Sequence, residues 1–340
     1  MKLGVALQYF TSAIPADLGP AIREAQSIGY DSVWCGESYG SDAFTPLAYL
    51  ASFSDSLRLG TSIAQIPARP PTSAAMAAIT LDHLSNGRAV LGIGASGPQV
   101  AEGWYGQAFG NPMQRAREYV AILRQVFARE APVVLEGSEY RLPLPGGKGL
   151  AKPLRSNLPV LRSDLPIHLG AEGPRNIALA AEIADGWQAL FYSPYHDQWY
   201  QDVLKEGFAR RAGSSDGFEV VATANVVIAD DVEIAADRLR PLIALYVGGM
   251  GAPGANFHNN VFARRGWEAE SAKIQELYLA GDRKAAIAAV PTRMIEEVAL
   301  IGPIDKIRDE AALWRNGVTT TLAVVADLKD LGRVADALAS

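Results

Sequence analysis

The sequence predicts an α/β protein built as a (β/α)8 TIM barrel with inserted segments. Three observations lead there. Eight apolar, strand-like segments alternate with helical ones along the chain. The strands are far enough apart to need crossover connections, which make parallel pairs. Two of them stop in glycine-rich turns of the same design. Eight such units fit a closed barrel better than an open doubly wound sheet, and no internal repeat or low-complexity tract disturbs the count. The expectation is one barrel domain over residues 1–340, interrupted by insertions at about 131–166 and 248–291.

Leu3–Tyr9 reads as the first strand, and Leu18, Ile22, Ala25 and Ile28 recur at helical spacing within Pro15–Gly29. Ser32–Glu37 is the second strand and Thr45–Asp55 the next helix, with Thr45 as N-cap and Pro46 in its first turn. Leu57–Ala64 is strand three, and the alanine-rich helix Thr72–Leu84 stops at Asn86-Gly87. A fourth strand starts at Arg88, followed by a helix over Gln114–Arg129. Residues 131–166, rich in Pro and Gly, read as an inserted hairpin or lid. Alternation resumes with strand Ile167–Ala171, helix Pro174–Asp185, strand Gly186–Phe191, helix Tyr195–Ala212 and the long strand Phe218–Ala229. A helix from Val232 to about Leu245 runs into the second insertion, and helix Ile304–Asn316, strand Thr319–Val325 and helix Leu328–Ala339 close the chain.

The two glycine-rich strand ends organise the rest. In RAVLGIGASGPQ (88–99) an apolar strand gives way to Gly94, Ala95, Ser96, Gly97 and Pro98, with Gln99 beyond. In IHLGAEGPR (167–175) it gives way to Gly170, Ala171, Glu172, Gly173 and Pro174, and then a helix. Small residues let a ligand approach the backbone and leave successive N–H groups pointing at an anion. A plain tight turn is the alternative for either one alone, but the repetition suggests one ligand held between two rims. In a barrel, chemistry sits at the C-terminal strand ends, which selects Gln8, Tyr9, Glu37, Ser38, 62–65, 95–99 and 170–175.

A net charge of -6 without a long basic run argues against nucleic acid as partner. One cysteine, Cys35, excludes an internal disulfide and fits a reducing compartment. The N-terminus enters a strand without a leader pattern, and no run of 18 apolar residues occurs. A cytoplasmic protein with no membrane partner is expected.

The four histidines (His83, His168, His196, His258) are scattered and form no metal-ligand spacing, so no metal is expected. His168 lies in a strand and reads as a core histidine; His258, in the insertion GGMGAPGANFHNN, is a candidate for chemistry. Gly94-Ala95-Ser96-Gly97 has the wrong order for a nucleophile elbow, and no paired carboxylates present themselves. Without metal, nucleophile or acid pair, an organic cofactor is the expected source of chemistry.

The segments LRLGTSIAQIPARPP (57–71), LDHLSNGRAVLGIGASGPQVAEGWYG (81–106) and LPIHLGAEGPRNIALAAEIADGW (165–187) resemble the third, fourth and fifth barrel segments of the luciferase-like oxidoreductases. With YVGGMGAPGANFHNN and FARRGWEAE (246–270) the chain resembles the branch that uses coenzyme F420, among them methylene-tetrahydromethanopterin reductase-like members. The resemblance covers nearly the whole chain. It implies a non-prolyl cis peptide at Ser62-Ile63, forming a bulge behind the deazaflavin ring, with Gln65 at the ring edge. It also implies a phosphate site between Ala95-Ser96-Gly97, Gln99 and Gly170-Ala171-Glu172-Gly173, assisted by Arg175 and the helix start after Pro174.

One departure bears on the chemistry. Sugar-phosphate dehydrogenase members carry Asp-His after strand two and a glutamate after the strand-four glycines, where this chain has Glu37-Ser38 and Gly97. Serine does not relay protons near neutral pH as histidine does, so that sugar chemistry is not expected. Glu37 is then a cofactor ligand, or alternatively a charge paired at a loop start. Tyr9, Ser38, Tyr105 and His258 are the candidate proton donors, and Ser38, Tyr9 and His258 are the catalytic candidates taken forward. The implied activity is F420-dependent hydride transfer with a small carbonyl, activated alkene, imine or one-carbon carrier, by a homodimer. An FMN-dependent monooxygenase and a non-catalytic flavin- or F420-binding protein are the alternatives.

Overall fold

The computed structural model describes residues 1–10 and 13–339. Eight parallel strands close into a barrel: Lys2–Leu7, Ser32–Cys35, Arg58–Thr61, Ala89–Gly94, Ile167–Gly170, Gly186–Leu190, Glu219–Ile228 and Thr321–Val325. Closure is made by the seventh, whose start pairs with Gly186–Leu190 while Val221–Asn225 pairs with Thr321–Val325. The eighth pairs in turn with the first, Lys2 opposite Thr321. All eight predicted strands are present, each within a few residues of its expected bounds.

The barrel encloses a small lumen core of Trp34, Val90, Val221 and Ala323, with Ala6 against them. Bulk at Trp34 is matched by glycine opposite it: a Cβ at Gly60 would lie 2.1 Å from the indole ring. The main core lies outside, between strands and helices, and gathers Leu59, Leu91, Ile167, Ile177 and Trp187 among many others. Helix Pro174–Ile183 packs closely against the barrel, burying Ile177 through Ala181 while Arg175 in its first turn stays exposed.

Three features depart from the sequence reading. Helix Phe44–Leu50 is capped from upstream, the Asp42 carboxylate accepting from the N–H groups of Phe44 and Thr45, so the cap is Asp42 and not Thr45. A strand at Ala299–Gly302 went unpredicted; it lies beside Asn225–Ile228 on the seventh strand, beyond the part that closes the barrel. The second insertion is helical, with helices at Phe257–Phe262, Glu268–Leu279 and Arg283–Ala288 around their own core of Val247, Phe262 and Ile274.

The first insertion contains the expected hairpin, Leu135–Glu136 against Arg141–Leu142. It is pinned by Glu118 of helix Pro112–Ala128, whose carboxylate accepts from the backbone N–H groups of Ser138, Glu139 and Tyr140. Together with a bond from the Gln114 side-chain amide at 2.8 Å, those bonds overcome the cost of burial and hold the carboxyl down at about 2. No helix among the described residues is long and apolar enough to cross a membrane.

Candidate active site

The peptide Ser62-Ile63 is cis, as expected. Register alone shows the bulge: between the pairs Gly60–Val90 and Ala64–Ile93 the third strand carries three residues and the fourth only two. Ile63 is thereby turned between the two glycine-rich strand ends. A Cβ on Gly94 would come within 2.9 Å of its Cδ1, and one on Gly170 within 2.9 Å of its Cγ2. Gly94 and Gly170 thus leave room for the Ile63 side chain between the two strand ends. The rims stay open further out, where a Cβ on Gly173 would meet nothing and one on Gly97 only the Gln99 side chain, at 3.3 Å.

Ser96 turns the first rim at a left-handed φ of 61°. Between the rims lies a cavity of about 30 Å³, lined by Ala95, Gly170, Leu169, Ala116 and Asn176. Asn176 was missed by the sequence reading, and Arg175 lines a different space. It borders an outer groove of about 310 Å³ with Arg117, Glu182 and Arg210, between neighbouring helices.

Glu37, at the end of the second strand, is 7 % exposed and fully engaged. Its carboxylate accepts two bonds from the Arg69 guanidinium, at 2.9 and 2.7 Å, and one from the Gln65 backbone N–H at 2.7 Å. The alternative reading, a paired charge at a loop start, describes its side chain. Gln65 is braced by donating its side-chain amide to the Glu37 carbonyl at 3.0 Å, and its Oε1 is buried without a partner. Cys35, on the same strand, is wholly enclosed, and burial pushes its thiol up to about 12.

Tyr9, Ser38 and His258 converge although they lie far apart in the chain. Burial and the neighbouring Tyr39 raise the Tyr9 phenol above its ordinary range, and hydrogen bonds to Tyr246 and Ser38 draw it part of the way back. Tyr246 leads on to His258, their ring centroids 4.8 Å apart, nearly edge-to-face. His258 Nδ1 lies 2.8 Å from Glu172 Oε1. The Glu172 side chain thus turns to a histidine rather than to a phosphate, leaving only its backbone for the predicted anion site, while Arg264 binds its carbonyl at 2.8 Å.

The family model of the luciferase-like monooxygenases matches residues 1–321. The chain belongs to that family. A Mycobacterium tuberculosis protein named "Putative coenzyme F420-dependent oxidoreductase" is 47% identical to this luciferase-like chain over 96% of it and 95% of the relative. A 5,10-methylenetetrahydromethanopterin reductase of Archaeoglobus fulgidus is 28% identical over 89% of the chain and 87% of the reductase. Among solved structures, a coenzyme F420-dependent tetrahydromethanopterin reductase from Methanopyrus kandleri superposes with a TM-score of 0.78 at 22% identity. That match covers 99% of this chain and 98% of the other, so the two share the luciferase-like barrel.

Arg69 of this luciferase-like site lay beyond sequence reasoning, whereas the sequence offers Tyr246 only as an aromatic candidate for an apolar substrate wall. Arg69 follows a short 3-10 turn after strand three, and only the need of a buried Glu37 for a cation pointed to it. Tyr246 sits at the end of helix Val232–Ala244, where one wider turn over Leu245–Gly249 carries it to the barrel mouth. Burial raises its phenol well above the ordinary range, with Tyr9 adding to the effect. No group of three or more potential metal ligands occurs among the described residues.

Proposed function

We propose that this protein is a coenzyme F420-dependent oxidoreductase that transfers a hydride between the deazaflavin C5 and a small organic carbonyl, activated alkene, imine or one-carbon carrier. The observation that carries the reading is the pairing of His258 with Glu172 at an open glycine rim. A 47%-identical relative named for F420-dependent oxidation and reduction supports the cofactor. The residues present suit a phosphate-bearing ring: the buried Gln65 Oε1 lacks a donor, and Gly97 and Gly173 leave the rim backbone uncovered. Ser62, Ile63 and Gln65 would hold the ring, with Glu37 fixing Gln65. Ala95, Ser96, Gly97, Gln99, Gly170, Ala171, Gly173 and the backbone of Glu172 would hold the phosphate, with Asn176 between the rims and Arg175 outside.

When bound, the reduced deazaflavin supplies two electrons and a hydrogen as hydride. The chain's own residues orient the acceptor, exclude water and deliver the matching proton. His258 is built for that delivery. Its Nδ1–H is held by the Glu172 carboxylate at 2.8 Å, which leaves Nε2 as the atom that gives or takes a proton. Tyr246, Tyr9 and Ser38 continue the polar path on the other side. The enzyme is further proposed to act as one barrel domain, as a cytoplasmic homodimer, on a small-molecule substrate.

Titration with F420, followed by quenching of its fluorescence, and a parallel titration with FMN test the cofactor. F420 should saturate the site at far lower concentration; preference for FMN would replace this reading with the monooxygenase one. His258→Ala should keep F420 affinity while lowering turnover by about 10²–10⁴-fold. Undiminished turnover in that variant would remove His258 from the proton path.

A further inference from the structure

A second polar system runs through the barrel lumen, away from the His258 side of the site. Ser62 Oγ lies 3.0 Å from Gln188 Oε1. Gln188 Nε2 lies 3.3 Å from His168 Nδ1, and His168 Nε2 lies 3.3 Å from Glu219 Oε2. Arg58 holds Glu219 through one guanidinium nitrogen at 2.9 and 2.8 Å and reaches Asp31 at the N-terminal end of the barrel. His168 and Gln188 are buried, at 0 % and 4 % exposure, whereas Ser62 is half-buried at the catalytic mouth. The column thus spans the barrel from one end to the other.

Its direction is fixed from below. Glu219 is kept ionised, because its contacts with His168 and Arg58 outweigh burial and hold it down at about 2. His168 Nε2 has no hydrogen-bond partner of good geometry, but it faces the Glu219 carboxylate at 3.3 Å, and that charge favours the tautomer with the proton on Nε2, leaving Nδ1 to accept. Gln188 must then turn its NH2 to His168 and its carbonyl to Ser62. The reverse orientation would set two lone pairs against each other at Nδ1. Ser62 in turn spends its hydroxyl proton on Gln188 and presents only lone pairs to the mouth. The backbone reserves space for the column: a Cβ on Gly186 would lie 2.6 Å from the His168 ring, and one on Gly92 3.1 Å from Gln188 Nε2. The His168 ring also stacks on Trp34, centroids 5.8 Å apart.

We infer that Gln188 and His168 are positioning residues, which through this directed hydrogen-bond column fix the Ser62 hydroxyl as an acceptor for an N–H or O–H donor of the bound ring. The inference rests on the proposed placement of the deazaflavin against Ser62 and assigns work to two residues outside that site. A chain of dipoles anchored on an ion pair is polarised along its length, so the lone pair offered at Ser62 is a better acceptor than that of a free hydroxyl. It also costs the ligand no reorientation of the group that meets it.

The test uses the full chain, F420 and five variants. Gln188→Met and His168→Leu should each raise the Kd for F420 about three- to ten-fold, the loss of one hydrogen bond. Each should also move the absorption maximum of bound F420 to the position seen in Ser62→Ala. His168→Gln, which can accept at one atom and donate at another, should restore wild-type affinity and spectrum. The Ser62→Ala/Gln188→Met double variant should be no weaker than Ser62→Ala alone. Additive losses, or wild-type affinity and spectrum in Gln188→Met, would overturn the inference. Should His168→Leu not fold, Gln188→Met leaves the His168–Glu219 pair in place and serves alone. Nitrogen-15 NMR of the ligand-free protein separates this from the F420 reading: His168 should be protonated at Nε2, and its Nδ1 resonance should move in Gln188→Met. An unmoved resonance would sink the column whatever the cofactor, whereas a moved one with no F420 binding would sink only the cofactor.

Discussion

Glu37 shows how a residue picked out by position acquires a different task from its neighbours. A carboxylate at a barrel strand end invites a catalytic or ligand role, yet both oxygens are bound to Arg69 and to the Gln65 N–H. Its side chain is 3 % exposed against 21 % for Arg69. Removing one partner strands the other in a poorly solvated place. Glu37→Gln should therefore lower unfolding free energy by about 3 kcal/mol, the lower end for a broken buried pair, as measured by urea denaturation. A loss below about 0.5 kcal/mol would class the pair with ordinary surface bridges. The position of Glu37 was legible in the sequence, since a strand ending in CGES fixes where that side chain emerges. Its partner was not, because Arg69 lies 32 residues on and nothing local sets that distance. His258, Tyr9 and Ser38 were likewise legible as types at likely places on the chain's topology, while their meeting depends on the long fold-back that carries Tyr246 between them.

Among the elements, the glycine-rich strand ends divide into two kinds that look alike in sequence. Gly92 is closed in, a Cβ there lying 2.1 Å from the Thr61 carbonyl oxygen, a backbone atom that cannot step aside. Gly173 is open, with φ -85° and nothing within reach. Gly92→Ala should cost more than about 3 kcal/mol, beyond the usual range for overpacking, and yield little folded protein. Gly173→Ala should change thermal stability by less than about 0.5 kcal/mol while weakening F420 binding; equal stability losses in the two variants would refute the distinction. Strand and helix placement was readable because periodicity and caps are local, and the eight barrel strands came through on that ground. Strand Ala299–Gly302 was missed because four apolar residues between helices carry no period of their own. Only its partner at Asn225–Ile228 makes it a strand.

For the whole molecule, two glutamates, Glu118 buried and Glu219 half-buried, tie remote parts together and set its response to acid. Glu219 joins the barrel floor through Arg58 and His168, and Glu118 secures the first insertion. Both are held at about 2, below the ordinary glutamate range. The sign follows from linkage: a depressed pKa gives stability that is complete above the unfolded value and is lost as pH falls toward the folded one. Unfolding free energy should thus hold steady down to about pH 4.5 and fall steeply toward pH 2, with on the order of 3 kcal/mol from Glu219. Urea titrations at several pH values measure it, and Glu219→Gln should flatten the slope in that window. A slope unchanged by the variant would show that the acid response originates elsewhere.

The strand Ala299–Gly302 has a bearing on how molecules reach the centre. Because it returns the polypeptide to the main sheet before the last helix begins, the helical arm bearing His258 is tethered at both of its feet. An arm held this way can breathe but cannot swing clear like a hinged door. Traffic is left to the lip at the arm's edge, where Tyr39, its hydroxyl 3.9 Å from Met250 Sδ of the arm, and Trp104 stand in solvent with their rings 6.5 Å apart.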